Sequence, residues 1–390
     1  MENKSIAAVL KKNAMLIVLV LVYLFFLILT KGGIFSPSSF TELINQNAYV
    51  YILGAGMLMC MLTGGNIDLS CGAFVCLLGA FGGVFMVVQG ISTGLSILLL
   101  LLIGIGYGVI LGFLIAYVHI PPWIATLAGY LAFRGLGTAI LSSNSMTGSL
   151  SLATKPDFLG IFYGRILPTE KGVFNWPCFL FGLLAAAIVV LVVFMTRKNR
   201  LAKGYEADTV KAAAIKSGIG GAVIILVMTQ LALDGGIPIT LLWVAGIILI
   251  YSFITSKTTV GRHFYVVGGN MEAARLSGVN TRRIMFLAYL NMAVLTSIAT
   301  FTVIARSQSA YADVGKNFEM DAISACVVGG VSASGGAGTV LGMVIGATLI
   351  GVINLGMSLI SLDANYQRVV KGFVLLAAVV FDIVSKKRGK

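Results

Sequence analysis

Charge is scarce in this chain. Asp, Glu, Lys and Arg make up 11% of its 390 residues, where a soluble domain carries roughly a quarter. Too little polar surface exists to cover a globule in water, so a soluble fold is excluded. With 58% hydrophobic residues and a mean hydropathy of +1.00, most of the surface has to face lipid. Histidine is limited to His119 and His263, each alone. The cysteines are Cys60, Cys71, Cys76, Cys178 and Cys326, an odd number with no C-x-x-C spacing. That pattern supports neither a disulfide framework nor a metal site, and these cysteines read as small buried hydrophobes. No G-x-S-x-G or H-E-x-x-H occurs. The nearest approach to a phosphate loop, SAYADVGKN at 309–317, lacks the first glycine and has Asn317 where Ser or Thr is needed. The chain offers no catalytic residue, bound cofactor or metal ligand set, so any ATP-driven step belongs to another subunit.

What is present is a series of apolar runs. A spanning helix needs about 20 mostly apolar residues. Candidates are 14–30, 47–63, 69–89, 95–118, 122–141, 176–196, 217–233, 237–256, 284–305, 338–360 and 368–384. The piece 320–331 is too short to cross comfortably and reads as a half-helix or as the start of a broken span. The expected fold is all-α, one membrane domain over 1–390, a polytopic bundle of about 10–12 spans. Broken or half-helices are expected near 64–70 and 320–336. Glycines at 104–108 (GIGYG) and along 341–356 mark seams where helices approach closely.

The net charge of +13 is not a nucleic-acid signature, because its basic residues punctuate the apolar runs. They sit at Lys11–Lys12, in RKNRLAK at 197–203, at Arg275, Arg282 and Arg283, and in KKRGK at 386–390. With the N-terminus cytoplasmic and 320–331 counted as a crossing, both termini and all four clusters fall on one side, as the positive-inside rule requires. Residues 142–175 then form an extracytoplasmic loop, and 197–216 and 257–283 form cytoplasmic loops. In the last of these, MEAARL has good helix formers and Gly278 is a plausible stop. Such a short helix suits docking to a partner or is a plain connection.

Charge inside the membrane is costly and marks candidate sites. Asp68, Arg134, Glu319, Asp321, Arg368 and Lys371 all lie in or near apolar runs. Asp68 stands in TGGNIDLSCGA at 63–73, where glycines break the helix. DAISACVVGGVSASGGAG at 321–338 breaks a second one. Paired interruptions in the two halves point to a transporter whose broken segments line a path. Asp68 can cap the following helix, bind substrate, or carry a coupled proton or ion.

TGGNIDLSCGA, IPPWIATLAGYLAFRGLGT at 120–138, GRHFYVVGGNMEAARLSGVNTRR at 261–283, DAISACVVGGVSASGGAGTVLG at 321–342 and YQRVVKGFVLLAAVVFD at 366–382 resemble, in order, motifs of bacterial sugar ABC-importer permeases of the ribose, xylose and galactose type. The lengthened middle is most similar to the longer xylose or multiple-sugar permeases, while Ala337 stands where the family commonly has arginine. The resemblance implies a pore subunit in the bacterial inner membrane that imports a monosaccharide, xylose or a related pentose or hexose, by alternating access. It implies a second permease copy, cytoplasmic ABC ATPases holding ATP and Mg, and an extracytoplasmic sugar-binding protein. Gly269, Asn270, Glu272, Ala273, Ala274, Arg275, Leu276 and Gly278 would couple to the ATPase. Asn66, Asp68, Ser70, Gly329, Gly330, Ser332 and Ser334 would lie near the translocation path. The competing readings are an ABC permease for a nucleoside, autoinducer sugar or branched-chain amino acid, and an ion-coupled secondary transporter.

Overall fold

A computed structural model describes residues 14–170, 172–207 and 209–387. Lys11, Lys12 and the last three residues of KKRGK lie outside the described residues. The chain forms fifteen helices among the described residues, with four strands of two or three residues each. The long helices are α1 (Ala14–Leu29), α2 (Pro37–Leu62), α3 (Cys71–Gly83), α4 (Thr93–Ala116) and α5 (Pro122–Asn144). A π-helical turn, Val84–Val88, continues α3. After a short α6 (Pro156–Phe162) come α7 (Trp176–Ala202), α8 (Val210–Leu233) and α9 (Ile239–Lys257). Two short helices, α10 (Thr259–Gly269) and α11 (Met271–Leu276), lead into α12 (Thr281–Ser307). The chain ends with α13 (Phe318–Val328), α14 (Val340–Leu359) and α15 (Ala364–Lys387).

Among the described residues, eight helices are long and apolar enough to cross a membrane: α3 with its π turn, α4, α5, α7, α8, α9, α12 and α14. The fold is the all-α polytopic bundle expected from composition. Helix α2 is the axis of that bundle. It packs against α12, α14, α13 and α9, and Val50, Ile52, Leu53, Met57, Leu58 and Leu62 are wholly buried. Its start is ten residues earlier than the apolar run suggests. Ser36 accepts the Ser39 N–H and Pro37 occupies the first turn, so a capped start carries the polar stretch Thr41–Asn47 into the helix. RKNRLAK similarly lies in the last turns of α7 rather than in a loop, because Arg, Lys, Leu and Ala are good helix formers and cations suit a helix C-terminus.

The GIGYG seam is a close approach between α4 and α12. A Cβ on Gly104 would collide with Ser297 Oγ. One on Gly108 would stand 2.9 Å from both Leu290 Cα and Ala293 Cβ. All five cysteines are free and buried. Helices α7 and α8 pair antiparallel at the margin, with Ala186 facing Gly221 and Met228 facing Gly182.

The segment 142–175 carries short elements of its own. β1 (Ser149–Ser151) pairs antiparallel with β4 (Ser309–Tyr311), and β2 (Arg165–Ile166) with β3 (Ile237–Pro238). Phe158 and Phe162 of α6 pack on Phe301, and Arg165 pairs with Asp234 at 2.6 Å. This cap and the start of α2 lie at one end of the bundle, where Ile44 packs with Ile166 and Ile237. The other end carries α10 and α11.

Candidate functional site

Both helix breaks lie at the α10–α11 end, and they touch. Helix α2 stops at Leu62, and Gly64 and Gly65, with φ of +119° and +75°, turn the chain in a region that side chains other than glycine's rarely adopt. In the second break, between α13 and α14, Gly335 and Gly336 have φ of +85° and +70°. The Gly336 N–H donates to Leu62 O at 3.1 Å, closing the free carbonyl at the end of α2. A Cβ on Gly65 would strike Ala333 O, and one on Gly335 would strike the Gly64 backbone.

The third member of this junction is α10. A Cβ on its Gly268 would strike Leu62 O and stand 2.6 Å from Gly336 N, and one on Gly336 would be 2.8 Å from Gly269 Cα. Tyr265 Oη donates to Gly338 O at 3.0 Å. Three segments far apart in sequence thus meet backbone to backbone through paired glycines. Buried backbone groups need partners, and here each break supplies them to the other.

Asp68 lies just behind this contact, 1% exposed. Its Oδ1 accepts the Ser70 N–H at 2.8 Å and the Ser70 hydroxyl at 2.6 Å. Since Ser70 gives its only hydroxyl proton to Asp68, the Tyr107 hydroxyl, 2.6 Å away, donates to Ser70. The carboxylate therefore closes an Asx-type turn one residue ahead of α3, which begins at Cys71. Ser70 holds the N-cap position without a side-chain cap bond. Asn66 folds back on its own loop, its Nδ2 donating to Thr63 O and Oγ1 at 3.2 and 3.1 Å.

The remaining path candidates divide. Gly329 abuts Gly342 of α14, where a Cβ would meet Gly342 O, so it serves helix packing. Ser332 is buried, while Gly330 and Ser334 are exposed. The Ser332 and Ser334 hydroxyls are 3.0 Å apart, and the Ser332 N–H donates to Ala337 O at 2.8 Å. Ser334 Cα would lie 3.3 Å from a Cβ on Gly65, so the structure brings Asn66, Asp68 and Ser70 to the same end as Ser332 and Ser334.

The coupling candidates form one protruding element. Gly269 ends α10, and Asn270 caps α11 by accepting the Ala273 N–H at 2.9 Å. Gly278, at φ +82°, follows its end. Ala274 is the single buried side chain of α11 and packs into the core, which fixes the helix to the body. Ala273, Glu272, Arg275 and Leu276 face outward. Glu272 and Arg275 pair with each other at 3.0 Å, and Leu276 is 83% exposed. Leu276 thus stands exposed beside the charged pair on the outer side of α11.

Tyr107, Tyr265 and Gly268 were not singled out by the sequence. Tyrosine in an apolar run gives no signal of its own, and Gly268 is one glycine in a chain with 47.

The chain matches the family described as branched-chain amino acid transport system / permease component over residues 39–379. It is 31% identical to the xylose transport system permease protein XylH of Haemophilus influenzae over 382 residues, 96% of each chain. It is 31% identical to the protein of the same name from Escherichia coli K12, covering 96% of this chain and 92% of that one. The ribose import permease protein RbsC of Bacillus subtilis is 31% identical over 346 residues, 89% of this chain and 85% of that one. No solved structure matches. A multi-pass helical bundle with this coverage leaves one assignment: the chain belongs to the inner-membrane permease family of bacterial sugar ABC importers.

Proposed function

We propose that this chain is the pore subunit of an ATP-driven monosaccharide importer, with xylose or a related pentose or hexose as cargo. It works as a pair with a second permease copy and receives sugar from an extracytoplasmic binding protein. Cytoplasmic ABC ATPases, which hold the ATP and Mg, seat on α11. The observation that carries this reading is the glycine junction. A partner that moves α11 moves α10, and α10 is in backbone contact with both helix breaks. A displacement there shifts Gly64–Asp68 and Ser332–Gly336 together, which is what switching a path between two openings requires.

The charge distribution supports an orientation with α10 and α11 in the cytoplasm. Arg262 lies in α10, and Arg282 and Arg283 stand in the first turn of α12, just after α11. The end of α7, with Arg197, Lys198, Arg200 and Lys203, reaches the same end of the bundle, since the start of α7 packs near Ile44 at the other. Oδ1 of the buried Asp68 accepts both the N–H and the hydroxyl of Ser70, which favours a structural role over a sugar contact.

The test is uptake of labelled xylose and ribose into proteoliposomes holding this chain with its ATPase and binding protein. ATP-dependent uptake of either sugar is expected. Uptake of leucine but of neither sugar would move the cargo to branched-chain amino acids, the solute in the family's description. Uptake that survives removal of the ATPase but collapses with the proton gradient would replace the reading with an ion-coupled one.

A further inference from the structure

Helix α13 holds 11 residues, about 16 Å at 1.5 Å per residue and roughly half of a hydrocarbon core. It fills the half of the bundle nearer α10 and α11. Its last residues lead into the second helix break, and its Phe318 stacks on Tyr49 at the midpoint of α2, with 3.6 Å between centroids. The other half is crossed by the chain between β4 and α13, and that chain is not helical. Residues 312–317 form successive turns, in which the Val314, Lys316 and Phe318 N–H groups donate to Tyr311 O, Asp313 O and Gly315 O. This is the stretch SAYADVGKN that fails as a phosphate loop.

A second anchor fixes its depth. Arg134 stands near the midpoint of α5, and its Nη1 donates to Ala312 O at 3.1 Å and Val314 O at 2.8 Å. A charged donor on an apolar helix thus closes two carbonyls that no helix ladder serves. Gly315, at φ +74°, presses on α3, where a Cβ on it would strike Gly72 O. Val314 and Gly315 are buried on that side. The opposite side is open. Asp313 and Lys316, bracketed by the two mid-depth anchors, pair at 3.1 Å with side chains 75% and 46% exposed. Asn317 and Met320 continue this side. They line a cavity of about 170 Å³ together with Arg368, Asp321 and Lys371, the last two themselves paired at 2.9 Å. The hollow beside the segment therefore has charged walls.

Non-helical backbone at membrane depth is tolerated only where protein buries it or where it lines a water-filled cavity. Protein holds this segment on one side only, and charges turned to lipid tails on the other would be costly. We infer that residues 312–317 line the water-filled path of the sugar, with Asp313 and Lys316 turned into the water. The wall of the path is then a chain of turns in the half nearer the β1–β4 cap and α13 in the other half. This rests on the reading of the chain as a sugar pore.

The experiment uses the assembled importer in proteoliposomes, with Asp313→Cys, Lys316→Cys or Ile188→Cys introduced one at a time. Ile188 is exposed near the midpoint of α7, at the lipid-facing margin of the bundle. The native cysteines are buried, so the new thiol dominates labelling by a charged methanethiosulfonate. The thiolate is the reacting form and is disfavoured in apolar surroundings, so labelling at 313 and 316 is expected to be at least about tenfold faster than at 188. Full labelling at 313 or 316 is expected to stop xylose uptake, and exposure of the Ile188→Cys importer to the reagent is expected to leave it unchanged. Labelling at 313 and 316 as slow as at 188 would mean that lipid or the second permease copy seals the segment, and would overturn the inference. Fast labelling that leaves uptake intact would overturn it too, since water would reach the segment where sugar does not pass. Normal uptake with slow labelling removes this inference alone. Absence of both xylose and ribose uptake from the unmodified importer removes the sugar reading and this inference with it.

Discussion

Gly268 and Gly269 are neighbours in one helix, yet the structure assigns opposite signs to the same substitution at each. Both end α10, and neither has a positive φ. On propensity alone, either Gly→Ala change in a helix gains up to about 1 kcal/mol. At Gly269 nothing lies within 4 Å of an added Cβ, so that gain is expected in full or in part. At Gly268 the Cβ would enter the space of Leu62 O and come within 2.6 Å of Gly336 N, the two partners of the bond that joins the breaks. Both obstacles are backbone and cannot rotate away. Overpacking costs about 1–3 kcal/mol, and a buried donor and acceptor left apart cost about 1–3 kcal/mol more. Against a gain of about 1 kcal/mol, Gly268→Ala is expected to destabilise by roughly 1–5 kcal/mol. Unfolding by denaturing detergent in mixed micelles measures this, with Gly269→Ala as the internal control. In the assembled importer, Gly268→Ala should also lower the stimulation of ATP hydrolysis by the loaded binding protein. Equal stability of the two variants would refute the junction.

The exposed coupling pair behaves differently. Glu272 and Arg275 side chains are 72% and 67% exposed, so replacing both by Ala is expected to change stability by less than about 0.5 kcal/mol. It should lower stimulated ATP hydrolysis, and wild-type hydrolysis in that variant would remove α11 as the docking element. Asp68→Asn keeps an oxygen to accept from Ser70, whereas Asp68→Leu strands the Ser70 N–H at about 1–3 kcal/mol. The yield of folded protein should be near normal for Asn and low for Leu, and equal loss would point to a need for the charge itself. Lys371→Met leaves the buried Asp321 carboxylate without its cation, which is expected to cost about 3 kcal/mol. Adding Asp321→Asn should recover most of that loss in the same unfolding assay, and no recovery would show that the pair does not act as a unit.

The helices and their lipid-facing surfaces were legible because a membrane span is written as composition. Twenty apolar residues in a row are visible without any knowledge of the partner helix. Boundaries were less legible where capping overrides hydropathy. Ser36 and Pro37 start α2 inside a stretch that reads as polar, and Thr209 starts α8 in the same way by accepting the Ala212 N–H. The segment 142–175 read only as an extracytoplasmic loop. The phenylalanines that pin it, Phe158 and Phe162, find their partner at Phe301 far along the chain, and no local pattern carries that pairing.

The functional geometry follows the same division. Each helix break showed itself through glycine in an apolar run, but the meeting of the breaks is a relation among Gly65, Gly268 and Gly336, set by three helices at once. The same holds for the cavity near Lys371. Asp321 and Lys371 were conspicuous as charges in hydrocarbon, and a charge there signals that a partner exists. Tyr49 is neutral and costs less to bury, so it left no mark, although its hydroxyl donates to Asp321 Oδ2. A sequence read for charge therefore finds the ion pair and passes over the neutral donor beside it, which becomes visible only when the helices are assembled.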